Sequence, residues 1–448
     1  MSPIPFAARV DDARPFHPRL SAANGGAVEV KATPFVWCDP TTIPRRPWVF
    51  GHWLLRNTIT AVVAPGGIGK SSLMASVVLS LATGRRLLGK DVWGGPKRAW
   101  YWNLEDDLDE LSRQLHAAAL FHGVKPEEVD GRLFVDSAMD GAGLCIADQG
   151  PEGFTIREPV VEALTAELIA RKVDVLIVDP FVSSHSVDEN NNPAIDAVAK
   201  RWAKVAKEAN CAIVLVHHSR KLHGVKVTTE ASRGAVSLTS AARATLVLNR
   251  MDDAEANRFG VTEDRERRRL FTVQDDKHNR SPAEDAQWFR LASVSLGNAT
   301  PDDPYGDDGD SIGVVTRWTP PDAFENVTVD HLRQIQALVA AGSFKESAQA
   351  ADWVGKAVAE VLGLSAYKHD KSDRSKINGL LRGWFANRAL IVVEERDPVK
   401  RELKKFVRVG TPADDTAPPA KGGAGQGGAS GAQKAPRPTC PPLGAGVG

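Results

Sequence analysis

The chain has little cysteine. Its four residues, Cys38, Cys145, Cys211 and Cys440, lie far apart and form no C-x-x-C pair. That spacing excludes a disulfide scaffold and a cysteine-based metal framework, and it suits a reducing, cytoplasmic setting. Cys211 opens an apolar run and reads as a core residue. Neither sign of charge is in excess, because 56 Lys and Arg meet 56 Asp and Glu. A neutral chain has no global attraction to nucleic acid, so any such binding must use local patches or a ring-shaped assembly. No apolar run approaches membrane-spanning length, which excludes a membrane partner, and the first residues lack the apolar centre of a secretory signal. At 448 residues the chain exceeds one core, which predicts a large domain with a smaller one beside it.

One stretch organises the rest. Residues 58–63 are an apolar, β-branched run that reads as a strand. A turn follows, Pro65-Gly66-Gly67-Ile68-Gly69, and then a helix from about Lys70 to residue 81, ending near Gly84. Glycines let backbone N–H groups converge on a phosphate without steric cost, and the helix N-terminus adds its dipole. In that pattern Pro65 to Ser72 together bind the nucleotide, Lys70 reaching the β- and γ-phosphates of ATP and Ser71 holding Mg²⁺. Ala64 stands where G-x-x-x-x-G-K-[ST] has its first glycine, and alanine is small enough for the turn.

Downstream, residues 98–105 read as a strand ending in the carboxylate Glu105. Asp106 and Asp107 then open a helix over 109–121, where acidic residues commonly cap. Residues 141–154 are glycine-rich and predict a surface excursion. An amphipathic helix over 158–172, with Val161, Leu164, Leu168 and Ile169 inward, feeds an apolar run ending in Asp179. After a phosphate loop, such an aspartate suits the water shell of Mg²⁺. Residues 181–192 read as a polar loop, and a helix to about 209 follows, with Pro193 at its start. The next strand ends in His217 and His218, of which one should face the nucleotide and one the sheet. Residues 219–232 form a basic loop with Lys221 and Lys226. Further strands are expected over 243–248, 270–273, 287–296 and 312–318, with Lys277 and Asn279 between the second and third.

Four regions result: a flexible arm over 1–43, an α/β domain with a mostly parallel sheet over 44–319, a winged-helix-like domain over 327–410 and a disordered tail over 411–448. Residues 35–53 are rich in aromatics and proline. They could pack on a neighbour, cover a base, or be an ordinary lead-in packed on its own domain.

Several pieces together resemble the RepA-like group of RecA-fold ATPases, the hexameric helicases of plasmids and phages. They are residues 64–72, Asn103-Leu104-Glu105-Asp106, 175–179 and 216–221. Ala231-Ser232-Arg233-Gly234 adds to them, with Arg243 ten residues beyond Arg233, as does Lys277-His278-Asn279. The resemblance covers residues 44–318 and implies a RecA-like P-loop NTPase core. Lys70 would hold phosphate, Ser71 and Asp179 the Mg²⁺, and Glu105 the attacking water. His218 or His217 would sense the γ-phosphate, and Arg243 would act on a neighbour's nucleotide. Lys277 resembles the lysine of a K-x-R element whose arginine position is Asn279 here. The implied activity is ATP-driven movement on single-stranded DNA by a homohexamer, with a primase or initiator protein as a further partner. Two other readings stay open: an ATP-switched DNA-binding initiator or regulator, and a filament-forming recombination ATPase.

Overall fold

The computed structural model describes residues 32–151, 153–219, 226–228, 236–278, 280, 284–300, 309–397 and 401–413. Residues 32–323 with 367–376 form one compact unit, and 324–366 with 377–413 a second.

In the first unit a short antiparallel pair, β1 (Trp48–Phe50) and β2 (Leu54–Leu55), leads into β3 (Ile59–Pro65). Val49, Phe50 and Trp53 are buried in the unit's own core, so the lead-in packs on its own domain from Trp48 onward; Phe35, Val36 and Trp37 stay exposed. The glycine turn follows, and then α1 (Lys70–Thr83), which ends on Gly84 in the left-handed conformation. Next come β4 (Ala99–Asn103), α2 (Leu108–His122), α3 (Pro126–Val129) and β5 (Leu133–Ser137). The hairpin β6 (Ala147–Gly150) and β7 (Gly153–Ile156) precedes α4 (Glu158–Ala170), β8 (Val175–Asp179), α5 (Asn192–Glu208) and β9 (Ala212–Ser219). Then follow α6 (Val236–Ala241), β10 (Ala244–Arg250), α7 (Asp253–Phe259), α8 (Asp264–Arg267), β11 (Leu270–His278), β12 (Gln287–Ser295) and β13 (Ser311–Arg317).

Nine strands make one sheet in the order β13-β12-β11-β10-β3-β9-β8-β4-β5. From β10 to β5 neighbours run parallel, and β11, β12 and β13 add an antiparallel flank. This is a RecA-like P-loop core: parallel strands, helices on both faces, and a phosphate turn after a central strand. Strands covered on both faces are apolar throughout, which is why 58–63 carried so clear a signal. Alternation divides them between two cores. Val62 and Ala64 of β3 face the core under α1, with Tyr101, Ile177, Val214 and Val216. Ile59, Ala61 and Val63 face the opposite core with Trp100, Val178 and Trp202.

Three expectations are corrected here. The stretch 141–154 is a surface excursion only in part: Leu144, Ile146 and Ala147 are buried in the second core, while Gln149, Gly150, Gly153 and Phe154 are exposed. Ile169 points outward at 54% exposure, while Val161, Leu164 and Leu168 point in. The segment after β8 is not simply polar loop. It opens with a 3-10 turn, Phe181–Ser184, and buries Phe181, Ser184, His185 and Val187.

The second unit holds α9 (Val329–Ala341), α10 (Gly355–Leu362), the later part of α11 (Lys371–Ala386) and an antiparallel hairpin, β14 (Leu390–Arg396) with β15 (Leu403–Val409). The second helix starts at Gly355 and ends on Gly363 in the left-handed conformation. Gln336 ties α9 to the hairpin region by donating to the carbonyls of Ala389 and Thr411 at 2.9 Å each.

Candidate functional site: a phosphate turn and the strand ends beside it

Pro65 closes β3, and Gly66 and Gly67 lie exposed beyond it. Gly67 and Gly69 have φ of 72° and 103°, values that favour glycine. A Cβ on Gly69 would also stand 3.1 Å from Leu291 Cδ2, so that side chain would have to give by a few tenths of an ångström. Ile68 anchors the turn from below, its side chain 2% exposed in the core. Gly69 caps α1 without a side-chain hydrogen bond, so the first-turn N–H groups face the turn's hollow. Lys70 is buried, and its Nζ donates to the carbonyls of Ala64 at 3.2 Å and Pro65 at 3.1 Å. Burial pulls its ammonium below the ordinary lysine value, while Asp179 and Glu105 hold it up. An incoming phosphate offers that ammonium a charged acceptor in place of two neutral ones.

The same alternation that divides the cores sets the site's other members. Tyr101 and Asn103 on β4, Asp179 on β8 and His218 on β9 all continue the face that packs on α1. Ser71 Oγ donates to Asp179 Oδ2 at 3.1 Å, and Tyr101 OH to the same oxygen at 2.9 Å. Burial pushes the Asp179 carboxyl up to about 6, against those two hydrogen bonds and the charge of Lys70. A buried carboxylate short of positive charge, touching a hydroxyl at the helix start, is a donor set that fits Mg²⁺. Ser71 and Asp179 are the residues that would hold it.

Glu105 lies just past β4 with its side chain 54% exposed, and His218 Nε2 is 3.7 Å from its Oε2. Burial, then Lys70, lowers the His218 imidazole, and Glu105 opposes both. Of the two acids after it, Asp107 is the cap of α2 and accepts from Glu110 N–H at 2.7 Å. His217 faces the other core. Among the described residues its buried Nδ1 has no hydrogen-bond partner; it lies 3.9 Å from Glu189 Oε1. His185 packs against Phe181, and its Nε2 is likewise buried with no hydrogen-bond partner among the described residues.

These two histidines predict an acid transition. Burial pulls each down to about 4 from 6.5. Both are neutral in the fold and protonate in the unfolded chain, so stability is present above pH 6.5 and is lost as pH falls through about 4. Each contributes about 3 kcal/mol of that loss. Asp179 acts in the opposite sense and, when free of metal, returns about 3 kcal/mol between pH 6 and 4. His185→Gln should therefore flatten the loss between pH 6.5 and 4 by about 3 kcal/mol, read from urea unfolding across that range. An unchanged pH profile would count against a buried neutral His185.

Arg243 stands elsewhere. It is exposed just before β10, and its N–H donates to Ile59 O at 3.1 Å, level with the first residue of β3. The phosphate turn begins at the last residue of β3, about 20 Å away at roughly 3.3 Å per residue. Lys277 joins Arg243 at this end. It lies within β11 and not in a connecting loop, paired with Thr245, and its Nζ donates to the carbonyls of Thr239 at 2.8 Å and Ser240 at 3.1 Å. Burial lowers its ammonium, and the charge of Arg243 adds to that. Lys226 pairs with Asp252 at 3.3 Å and with Glu255. Lys221, Asn279 and Ala231-Ser232-Arg233-Gly234 lie outside the described residues.

Sequence reasoning passed over Tyr101, Glu189, His185 and Arg250. Arg250 ends β10 on the α1 side and donates to the Gly67 carbonyl. Counting alternation back from the buried residues of β10 and β4 is the signal that finds Arg250 and Tyr101.

Residues 26–224 match a family model described as an AAA domain. The matched stretch holds Lys70, Ser71, Glu105, Asp179, His217 and His218, and stops short of Arg243 and Lys277. It supports an AAA-type P-loop ATPase. No described helix is long and apolar enough to cross a membrane.

Proposed function

We propose that this AAA-type ATPase works as a ring of like subunits, a homohexamer that moves along single-stranded DNA as a helicase or translocase of a mobile element.

 The observation that carries this reading is the placement of Arg243. It is too far from its own phosphate turn to touch a nucleotide there, and exposed where a neighbouring copy could meet it. In such an assembly Lys70 and the turn's N–H groups bind the phosphates of ATP; Ser71 and Asp179 would hold Mg²⁺, which when bound would supply positive charge against the transferred group. Glu105 orients the attacking water, and His218, beside it on the α1 face, senses the γ-phosphate. Arg243 completes the neighbour's site, with Lys277 beside it. Hydrolysis is thereby coupled to movement between subunits, and loops at the ring axis pull DNA by its phosphates.

ATPase rates with and without single-stranded DNA, together with unwinding of a forked duplex, test the reading. Stimulation by DNA and strand separation are expected. Turnover indifferent to DNA, with no unwinding, would favour an ATP-switched initiator or regulator, and open filaments in electron micrographs a recombination ATPase.

The DNA contact is assigned to the loop of Lys221 and Lys226, which runs on from the His217-His218 strand. Lys226 has to leave Asp252 and Glu255 to reach a phosphate. Changing both lysines to Ala should weaken single-stranded DNA binding and reduce its salt slope by about 1.4 per subunit engaged, at roughly 0.7 per phosphate. Basal ATPase should hold, because neither residue belongs to the phosphate site. Parallel salt slopes at equal affinity would remove the loop from the DNA path.

A further inference from the structure

Asn103, the last residue of β4, is 1% exposed and lies in register with Asp179. Its carboxamide is used at both ends. Oδ1 accepts from the N–H of Glu105 at 2.8 Å and of Asp106 at 2.7 Å. Nδ2 donates to Tyr101 OH at 3.3 Å and reaches Asp106 Oδ2 at 3.5 Å. Two converging N–H groups fix which end is oxygen, since a flipped amide would set donors against donors. The Tyr101 hydroxyl accepts from Asn103 and so directs its own proton to Asp179 Oδ2 at 2.9 Å. One amide therefore connects the backbone that aims Glu105 to the carboxylate that touches Ser71.

We propose that Asn103 and Tyr101 are positioning residues, a relay that sets the Mg²⁺-holding pair Ser71 and Asp179 in register with the turn that aims Glu105. The proposal rests on the ATPase reading above and deepens it. Core packing alone accounts for the Tyr101 ring, which is fully buried. It does not account for the hydroxyl. Phenylalanine would fill the same volume, and a buried hydroxyl is unfavourable unless it is bonded. Here it is bonded to the one carboxylate that has to keep its orientation when Ser71 turns from it to a cation. With Ser71 gone, Tyr101 still holds Oδ2.

The test separates metal-dependent from metal-free binding. ADP affinity is measured by calorimetry without and with saturating Mg²⁺ on the full chain. Tyr101→Phe should leave metal-free affinity unchanged and reduce the gain from Mg²⁺ about tenfold, the weight of one hydrogen bond to a charged group. Asn103→Ser keeps a short acceptor for the turn but cannot reach Tyr101. It should lose the same part of the Mg²⁺ gain and also lower kcat at saturating MgATP. The double variant should lose no more of the Mg²⁺ gain than Tyr101→Phe alone, because both break one chain. A Tyr101→Phe protein with its full Mg²⁺ gain overturns the relay. So does one that loses metal-free affinity as well, since the hydroxyl is then structural. Additive losses in the double variant overturn it too. A wild type that gains nothing from Mg²⁺ overturns the ATPase reading itself.

Discussion

Mixing Arg243→Ala subunits with Lys70→Ala subunits should yield ATPase activity that neither variant shows alone. A Lys70→Ala subunit cannot hold phosphate but still presents Arg243, and an Arg243→Ala subunit holds nucleotide but presents no finger. Wherever the two meet in the right order, one intact phosphate site faces one intact arginine. The expected effect is large. An arginine supplied from outside the site is worth roughly 10³–10⁵ in rate in phosphoryl transfer. Each pure variant should be near background, and each mixed assembly well above it. Geometry motivates the experiment: Arg243 is level with Ile59 at one end of β3, and the phosphate turn leaves Pro65 at the other. Assemblies shown to be mixed that recover no activity would count against action between subunits. Lys277 offers a control in the same format. Its ammonium is engaged by the carbonyls of Thr239 and Ser240, so Lys277→Ala should loosen the end of α6 as well as remove charge. Mixing should then recover less for Lys277→Ala than for Arg243→Ala.

Much of the core was legible because its strands are covered on both faces. Residues 58–63 and 175–179 carry no polar side of their own to mislead, apart from Thr58, Thr60 and the terminal Asp179. The glycines of the turn read correctly for a local reason, the left-handed backbone at Gly67 and Gly69. What was missed lacks a local signal. Beyond Val273, β11 is paired with β10 among the described residues and no longer with β12, and its polar second half, Asp275 to His278, has no strand-like period. Leu144 and Ile146 reach the core from among glycines, where two apolar residues are too few to show alternation. Tyr101 looked like one more aromatic in an apolar strand. Its hydroxyl gains meaning only from Asp179 on the next strand, and that pairing is a matter of register between distant segments.

Lys70→Ala and Glu105→Gln should fail in different ways, and the difference tests the assignment of roles. Lys70 now donates to two neutral carbonyls, and binding would exchange them for phosphate oxygens. Losing two charge-assisted bonds of about 1.5–3 kcal/mol each should lower nucleotide affinity by roughly 10²–10⁴, enough to abolish binding in an ordinary assay. Glu105 stands apart from the phosphate turn, just past the end of β4, and acts on Lys70 through its charge. Its backbone is fixed by Asn103, and its side chain is half-exposed beside His218. Glutamine keeps the shape and the backbone bond but cannot take a proton from water. Glu105→Gln should thus bind MgATP with wild-type affinity while turnover falls by about 10²–10⁴. Equilibrium binding and single-turnover hydrolysis on the same preparation separate the two effects. Normal hydrolysis by Glu105→Gln would show that the water is oriented by another group. Asp106 is then the next candidate, one residue further along the same turn and held by the same Asn103 amide.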